Sequence, residues 1–242
     1  MTTPPAAPPD LRAQPQPYPE DADARIRQIA EIFGHDNVLR LLGDVRNRLL
    51  GNALQVQSMA MDFAQKKDLS DAGDDVAQAA LAVAGTWSGR GADQFTGYAE
   101  LVGKALEGQQ EVVASMSGIL SEIAGCIIDT YAKAIEFIGN CAVELGKVGY
   151  KTIIAIATAE IPILDVITSK EVVDTVADAL FDLVKSVSDL FGQTFETLGK
   201  YRTQAIALVQ GNTNFPDMPP MPGNSGINDQ RQWRIDPSAA PA

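Results

Sequence analysis

Residues 85–95 read Gly85-Thr86-Trp87-Ser88-Gly89-Arg90-Gly91-Ala92-Asp93-Gln94-Phe95. Gly85 and Gly89 free the backbone to reverse direction, because glycine enters left-handed conformations without a Cβ clash. Trp87 lies between them and offers a large apolar surface that can cover the ends of two helices meeting at a tip. Ala92 keeps the first turn of the following helix thin, and Phe95 begins its apolar stripe. Taken alone, the stretch is a helix–helix turn over residues 85–90 that holds a tryptophan. The patterns on either side decide what it joins.

Downstream, apolar residues alternate by four and three at Phe95, Ala99, Val102, Leu106, Gln109, Val113, Met116, Leu120, Ile123, Ile127, Thr130, Ala134, Phe137 and Cys141. Strand periodicity cannot reproduce that spacing. The segment predicts one helix of about 50 residues, about 75 Å long, which must be covered by partners along its length. Gly118, Gly125, Ala132, Gly139 and Gly146 recur every seventh position on another face. Glycine weakens a helix by up to about 1 kcal/mol relative to alanine, so this stripe predicts close approach by another helix.

Upstream, Asp21 to Phe33 reads as a short helix closed by Gly34. Asp36 then N-caps a longer helix to about Lys66. Its seam is Val38, Leu42, Val45, Leu49, Asn52, Val56, Met59 and Phe63. Asn52 is the polar exception: it either fixes the register with a partner or rotates into water. Leu69 to Gly73 breaks this helix, and Asp74 to Ala84 resumes it. Beyond the long helix, Thr152 to Thr168 is apolar with a reversal expected at Pro162. Ser169 caps a last helix to about Gln210, with a seam at Val173, Ala177, Leu180, Val184, Val187, Phe191, Thr194, Leu198, Tyr201, Ala205 and Leu208.

The expected fold is therefore all-α: an elongated antiparallel helical bundle over residues 21–211, built on the hairpin turn at 85–90. Residues 1–20 and 212–242, rich in proline with little to bury, are expected to be disordered arms.

Composition narrows the function. The 242 residues carry a formal net charge of −12, which argues against nucleic acid, where clustered Lys and Arg would be needed. Simple electrostatic binding to anionic lipid is disfavoured for the same reason. The N-terminus lacks the basic and apolar regions of a classical signal peptide. Cys126 and Cys141 cannot support a disulfide framework or a four-ligand metal site. On one helix they stand about 22 Å apart, too far for an intrachain bridge. They read as small buried hydrophobes, with an intermolecular disulfide as the alternative.

Enzyme motifs are missing. The single histidine, His35, sits at a helix boundary with no serine or cysteine partner in its context. Ser88 lacks the flanking glycine pattern and strand–turn–helix frame of a nucleophile elbow. The glycine-rich turn at Arg90 has neither a preceding strand nor a Walker lysine. Asp74-Asp75 is a charge pair favoured by a helix N-terminus. No catalytic residue, cofactor or metal is expected.

Trp87-x-Gly89-x-x-Ala92-x-x-Phe95 between two heptad-patterned helices resembles the WXG superfamily of type VII (ESX) secretion substrates, most closely over residues 36 to about 140. The extra helices and tails resemble the longer secretion-associated members. The resemblance implies a hairpin turn, association into helical bundles with another copy or a WXG-type partner, contact with the secretion machinery, and export by a non-classical route. The association seam would comprise Val38, Leu42, Val45, Leu49 and Asn52 on one side, and Leu106, Val113 and Leu120 on the other. Two positions depart from the family. Gly91 stands where a second alanine is common, and none of the five tyrosines has an acidic residue four places later, so the Tyr-x-x-x-Asp/Glu export signal is absent. Export would then depend on a partner bearing it, or the chain is not exported. Two other functions fit the same sequence: a membrane-interacting effector using residues 153–167, and an intracellular helical scaffold or chaperone.

Overall fold

The computed structural model describes residues 15–51, 53–157, 166–210, 216–236 and 238. The chain is all-α. Its helices are α1 (Glu20–Phe33), α2 (Asp36–Asp44), α3 (Ala53–Gln65), α4 (Asp68–Thr86), α5 (Arg90–Val148), α6 (Tyr150–Ala157) and α7 (Val166–Gln210), with a π-helical turn at Val45–Leu49. A two-residue ladder joins β1 (Trp87–Ser88) to β2 (Arg234–Ile235). The chain forms two compact units, Met1–Gln57 with Ser121–Arg202, and Ser58–Leu120 with Thr203–Ala242.

In the first unit, α1, α2 and α6 pack with the later part of α5 and with α7. Ile26, Leu42, Ile138, Ile153, Leu180 and Val187 are among its fully buried side chains. Thr130 meets Thr194 at 2.8 Å, and the Cys141 thiol reaches the Ala179 carbonyl at 3.6 Å, so α5 and α7 run antiparallel. α1 ends as its sequence predicts, with Gly34 at φ 72° and the His35 amide donating to the Ala30 carbonyl at 2.8 Å.

In the second unit, α4 and α5 descend antiparallel from the turn at Trp87–Gly89. An open groove between them is lined by Val76, Ala80, Ala84, Ala99 and Leu106, among others. α4 has no buried residue, and Leu81 is 72% exposed. Ser117 donates to the Ala60 carbonyl at 2.8 Å, which ties α3 to α5.

Several expectations need correction. The helix expected from Asp36 to Lys66 is interrupted. It passes through the π turn and breaks at Gly51, whose φ is +44°. A π turn takes up one extra residue, so the buried face moves by one. Val38, Leu42 and Val45 are buried as expected, but beyond the break Ala53, Gln57 and Ala60 replace Val56, Met59 and Phe63 as the buried positions. Asn52 lies outside the described residues. His35, not Asp36, is the N-cap residue of α2, and Asp36 occupies the first turn. α4 runs unbroken through Leu69–Gly73, the break falling just before Asp68.

On α5 the seam positions Ala99, Leu106, Gln109, Thr130, Ala134 and Cys141 are buried as expected, but from Ser117 onward they share the inward face with Ser117, Ser121, Ala124, Ile128, Tyr131, Ile135 and Ile138, each one residue later than a seam position. A straight helix repeats every 3.6 residues rather than 3.5, and over six turns that drift amounts to about half a residue, enough to bring the next position into the inward face. On α7, Leu180 and Val187 of the expected seam are buried, and Val176, Leu183 and Leu190, each one residue before a seam position, complete the stripe. Ser169 lies inside α7 rather than capping it. The glycines of the small-residue stripe, Gly118, Gly125, Gly139 and Gly146, have nothing within 4 Å of where a Cβ would stand. Among the described residues, no helix of this chain approaches them closely. Pro162 and most of the apolar segment 153–167 lie outside the described residues.

Candidate functional site

The turn predicted at residues 85–90 is formed by three residues. α4 ends at Thr86, Trp87 and Ser88 are extended, and Gly89 takes φ +95°, which only glycine adopts without strain. The Gly89 carbonyl accepts from the Asp93 amide at 3.1 Å, which starts α5, and Ala92 is buried at its first turn. Trp87, Gly89, Ala92 and Phe95 are therefore brought together as the sequence anticipates.

The sequence reading missed what covers them. Residues 216–236, expected to be a disordered tail, run back along α5 toward the turn. The Gln109 amide donates to the Pro216 carbonyl at 2.6 Å, and the Tyr98 hydroxyl to the Pro219 carbonyl at 2.9 Å. Gln94 accepts from the Gly226 amide. Two short 3₁₀ turns, Gly226–Asn228 and Gln230–Gln232, then bring Trp233 over the first turn of α5.

There Trp233 packs edge-on against Trp87, with ring centroids 5.9 Å apart and planes at 87°, and lies 6.3 Å from Phe95. Its indole N–H donates to the Ile227 carbonyl at 3.1 Å, so the half-buried ring keeps its donor satisfied. β2 then pairs with β1, Trp87 opposite Ile235 and Ser88 opposite Arg234, and the Asp236 amide closes on the Thr86 carbonyl at 2.9 Å. The tail is ordered because one indole, one short ladder and side-chain donors to its carbonyls replace the periodic apolar burial that the sequence lacks.

This packing explains Gly91. A Cβ there would stand 2.6 Å from the Trp233 indole nitrogen, and one at Gly89 would stand 2.8 Å from the Gln232 carbonyl oxygen. Real Cβ atoms do not approach so closely, so both positions need glycine while the tail is seated. The isolated Trp233 in a proline-rich segment, together with glycine at residue 91, was the available signal.

The seam residues are placed differently from expectation. Val38, Leu42 and Val45 are in the first unit's core, and Leu106 is buried in the second. Leu49, Val113 and Leu120 are half-buried. Much of the proposed association seam is thus used within the chain, and several of the most exposed large apolar side chains stand elsewhere, at Leu81 and Leu101 in the second unit and at Val143, Phe181 and Phe195 in the first.

No chemical centre accompanies the turn. Among the described residues no three His, Cys, Asp or Glu side chains converge as metal ligands. The His35 carbonyl accepts from the Val38 amide at 3.0 Å, a structural role at the α1–α2 turn. Burial pushes the Cys141 thiol up to about 12, far from the range of a reactive thiolate. Cys126, also free and half-buried, is raised for the same first reason. Among the described residues one helix, α5, is long and apolar enough to cross a membrane by length and composition. No family model matches the chain, nor does any curated protein or solved structure.

Proposed function

We propose that this protein is a type VII (ESX) secretion substrate, or a secretion-associated protein, that works by helix–helix association and not by catalysis. The observation that carries the reading is the Trp87-x-Gly89-x-x-Ala92-x-x-Phe95 turn joining two antiparallel helices, the arrangement in which it resembles the WXG superfamily. The open groove beside α4 and the exposed Leu81 support a helical partner, since apolar surface left uncovered marks association sites. The partner is another copy or a WXG-type chain, and export through the second kind would use a Tyr-x-x-x-Asp/Glu signal on that chain, which this sequence lacks. On this reading the protein is cytoplasmic before export and reaches the cell envelope or medium afterwards. The test compares culture filtrate with cell pellet in strains with and without the secretion apparatus. Accumulation in the filtrate only when the apparatus is present supports export; retention in the pellet of both strains, while other substrates are exported, refutes it.

A second reading, membrane contact, has one favouring observation. An 18-residue window of α5 has a mean hydropathy of 1.6 and is only 17% buried. Co-flotation with vesicles of neutral lipid would support this reading, and recovery wholly in the lipid-free fraction would refute it.

A further inference from the structure

We infer that the turn end of the α4–α5 hairpin is a peptide-recognition site, that its ligand class is an extended proline-spaced segment leading to a tryptophan, and that residues 216–236 fill it in cis as a displaceable strap. The inference goes beyond the secretion reading and does not depend on it.

The site is one face of α5 and the edge of β1. Gly91, Gln94, Phe95 and Tyr98 share that face, with Gln109 three turns further on. Tyr98, Gln109 and Gln94 bond the strap's backbone at Pro219, Pro216 and Gly226 and no strap side chain. Side-chain donors aimed at proline carbonyls recognise an extended chain whatever its neighbouring residues, as in other grooves that take proline-rich segments. Gly108 admits Pro216, whose Cγ would lie 2.9 Å from a Cβ at that position. β1 then receives the segment as an added strand. Selectivity comes at the notch over Gly91, bounded by Trp87 and Phe95, which is open only because residue 91 has no side chain.

The occupant is seated but not locked. Trp87 stays 39% exposed and Ile235 68% exposed, and Ser225 Oγ and Gln232 Oε1 are buried without a hydrogen-bond partner among the described residues. Each such atom costs stability in the seated state. Tethering holds the strap at an effective concentration in the millimolar range. A dilute competitor in trans therefore fails against the intact strap and succeeds once its anchor is removed.

The test uses the full-length chain and a fluorescent synthetic peptide of residues 216–236, read by anisotropy. Trp233→Ala in the protein should bind the peptide about tenfold or more tightly than the wild-type chain does. A peptide carrying Trp233→Ala should lose about tenfold or more on the same variant. Adding Gly91→Ala to the Trp233→Ala protein should abolish binding at unchanged far-ultraviolet helicity, because alanine favours the helix while filling the notch. Tyr98→Phe should weaken binding a few-fold through the lost Pro219 bond. Equal affinity for wild-type and Trp233→Ala protein, indifference to the peptide's tryptophan or to Gly91→Ala, or no binding to the Trp233→Ala chain would each overturn the inference. The filtrate-and-pellet comparison reads the secretion proposal separately.

Discussion

Asp23 is 2% exposed, and its two carboxylate oxygens accept from the Tyr18 hydroxyl and the Arg27 guanidinium, each at 2.7 Å. Burial first, and the Asp23 bond second, push the Tyr18 phenol well above its ordinary value. Asp23→Ala would leave the phenol and the partly exposed guanidinium only their longer bonds to the Leu42 and Leu39 carbonyls, both 3.4 Å, and should lower the free energy of urea unfolding by about 1–2 kcal/mol. Asp23→Asn, which keeps an acceptor for Tyr18, should lose less. Cys141 makes a pH prediction. Its native thiol holds its proton to about 12, while the unfolded thiol ionises near the ordinary value of 9.0. Between those values the native state binds more protons, so this group's stabilisation falls as pH rises, by about 1.4 kcal/mol per pH unit. Urea midpoints at pH 8 and pH 10 should therefore diverge more for wild type than for Cys141→Ala. Neither role was fully legible in the sequence. Cys141 lay on the apolar seam and read correctly as a buried hydrophobe, but Asp23 looked like any acid in the first turn of a helix.

At the scale of elements, glycines divide by backbone angle. Gly34 at φ +72° closes α1, so Gly34→Ala should cost about 1 kcal/mol in chemical denaturation. Gly125 lies inside α5 with open space where a Cβ would go, so Gly125→Ala should instead stabilise the chain by about 0.5–1 kcal/mol. A loss at Gly125 would mean that something covers that face in solution. Helix identity was legible because four-and-three apolar spacing has no strand counterpart. Helix phase was not. The spacing that reveals α5 is a heptad, whereas the core samples the true 3.6-residue repeat, so the face drifts from Phe95 toward Ser117. The break at Gly51 was hidden because glycine is common within the chain's other helices, and a π turn has no marker in composition.

Across the whole chain the dominant quantity is the charge of −12. Like charges at this density repel within the folded state, and salt screens them. Raising sodium chloride from about 0.02 M to about 0.5 M should raise the midpoint of thermal unfolding by a few degrees, as followed by circular dichroism. A fall would mean that the five surface ion pairs found among the described residues, with the buried Asp23–Arg27 pair, outweigh the net repulsion. The all-α architecture was legible at this scale too, together with the turn that organises its second unit. The strap was not, because recognition through backbone carbonyls and a single indole leaves no periodicity to read.

Where the strap ends has a practical consequence. The Asp236 amide is bonded to the Thr86 carbonyl, one residue from Trp87, so a tag or reporter joined directly after Asp236 would begin beside the turn. Such a fusion would crowd the feature whose role an export or partner assay is meant to measure. Detection of the untagged chain by antibody leaves the Trp87–Trp233 contact as the native chain has it.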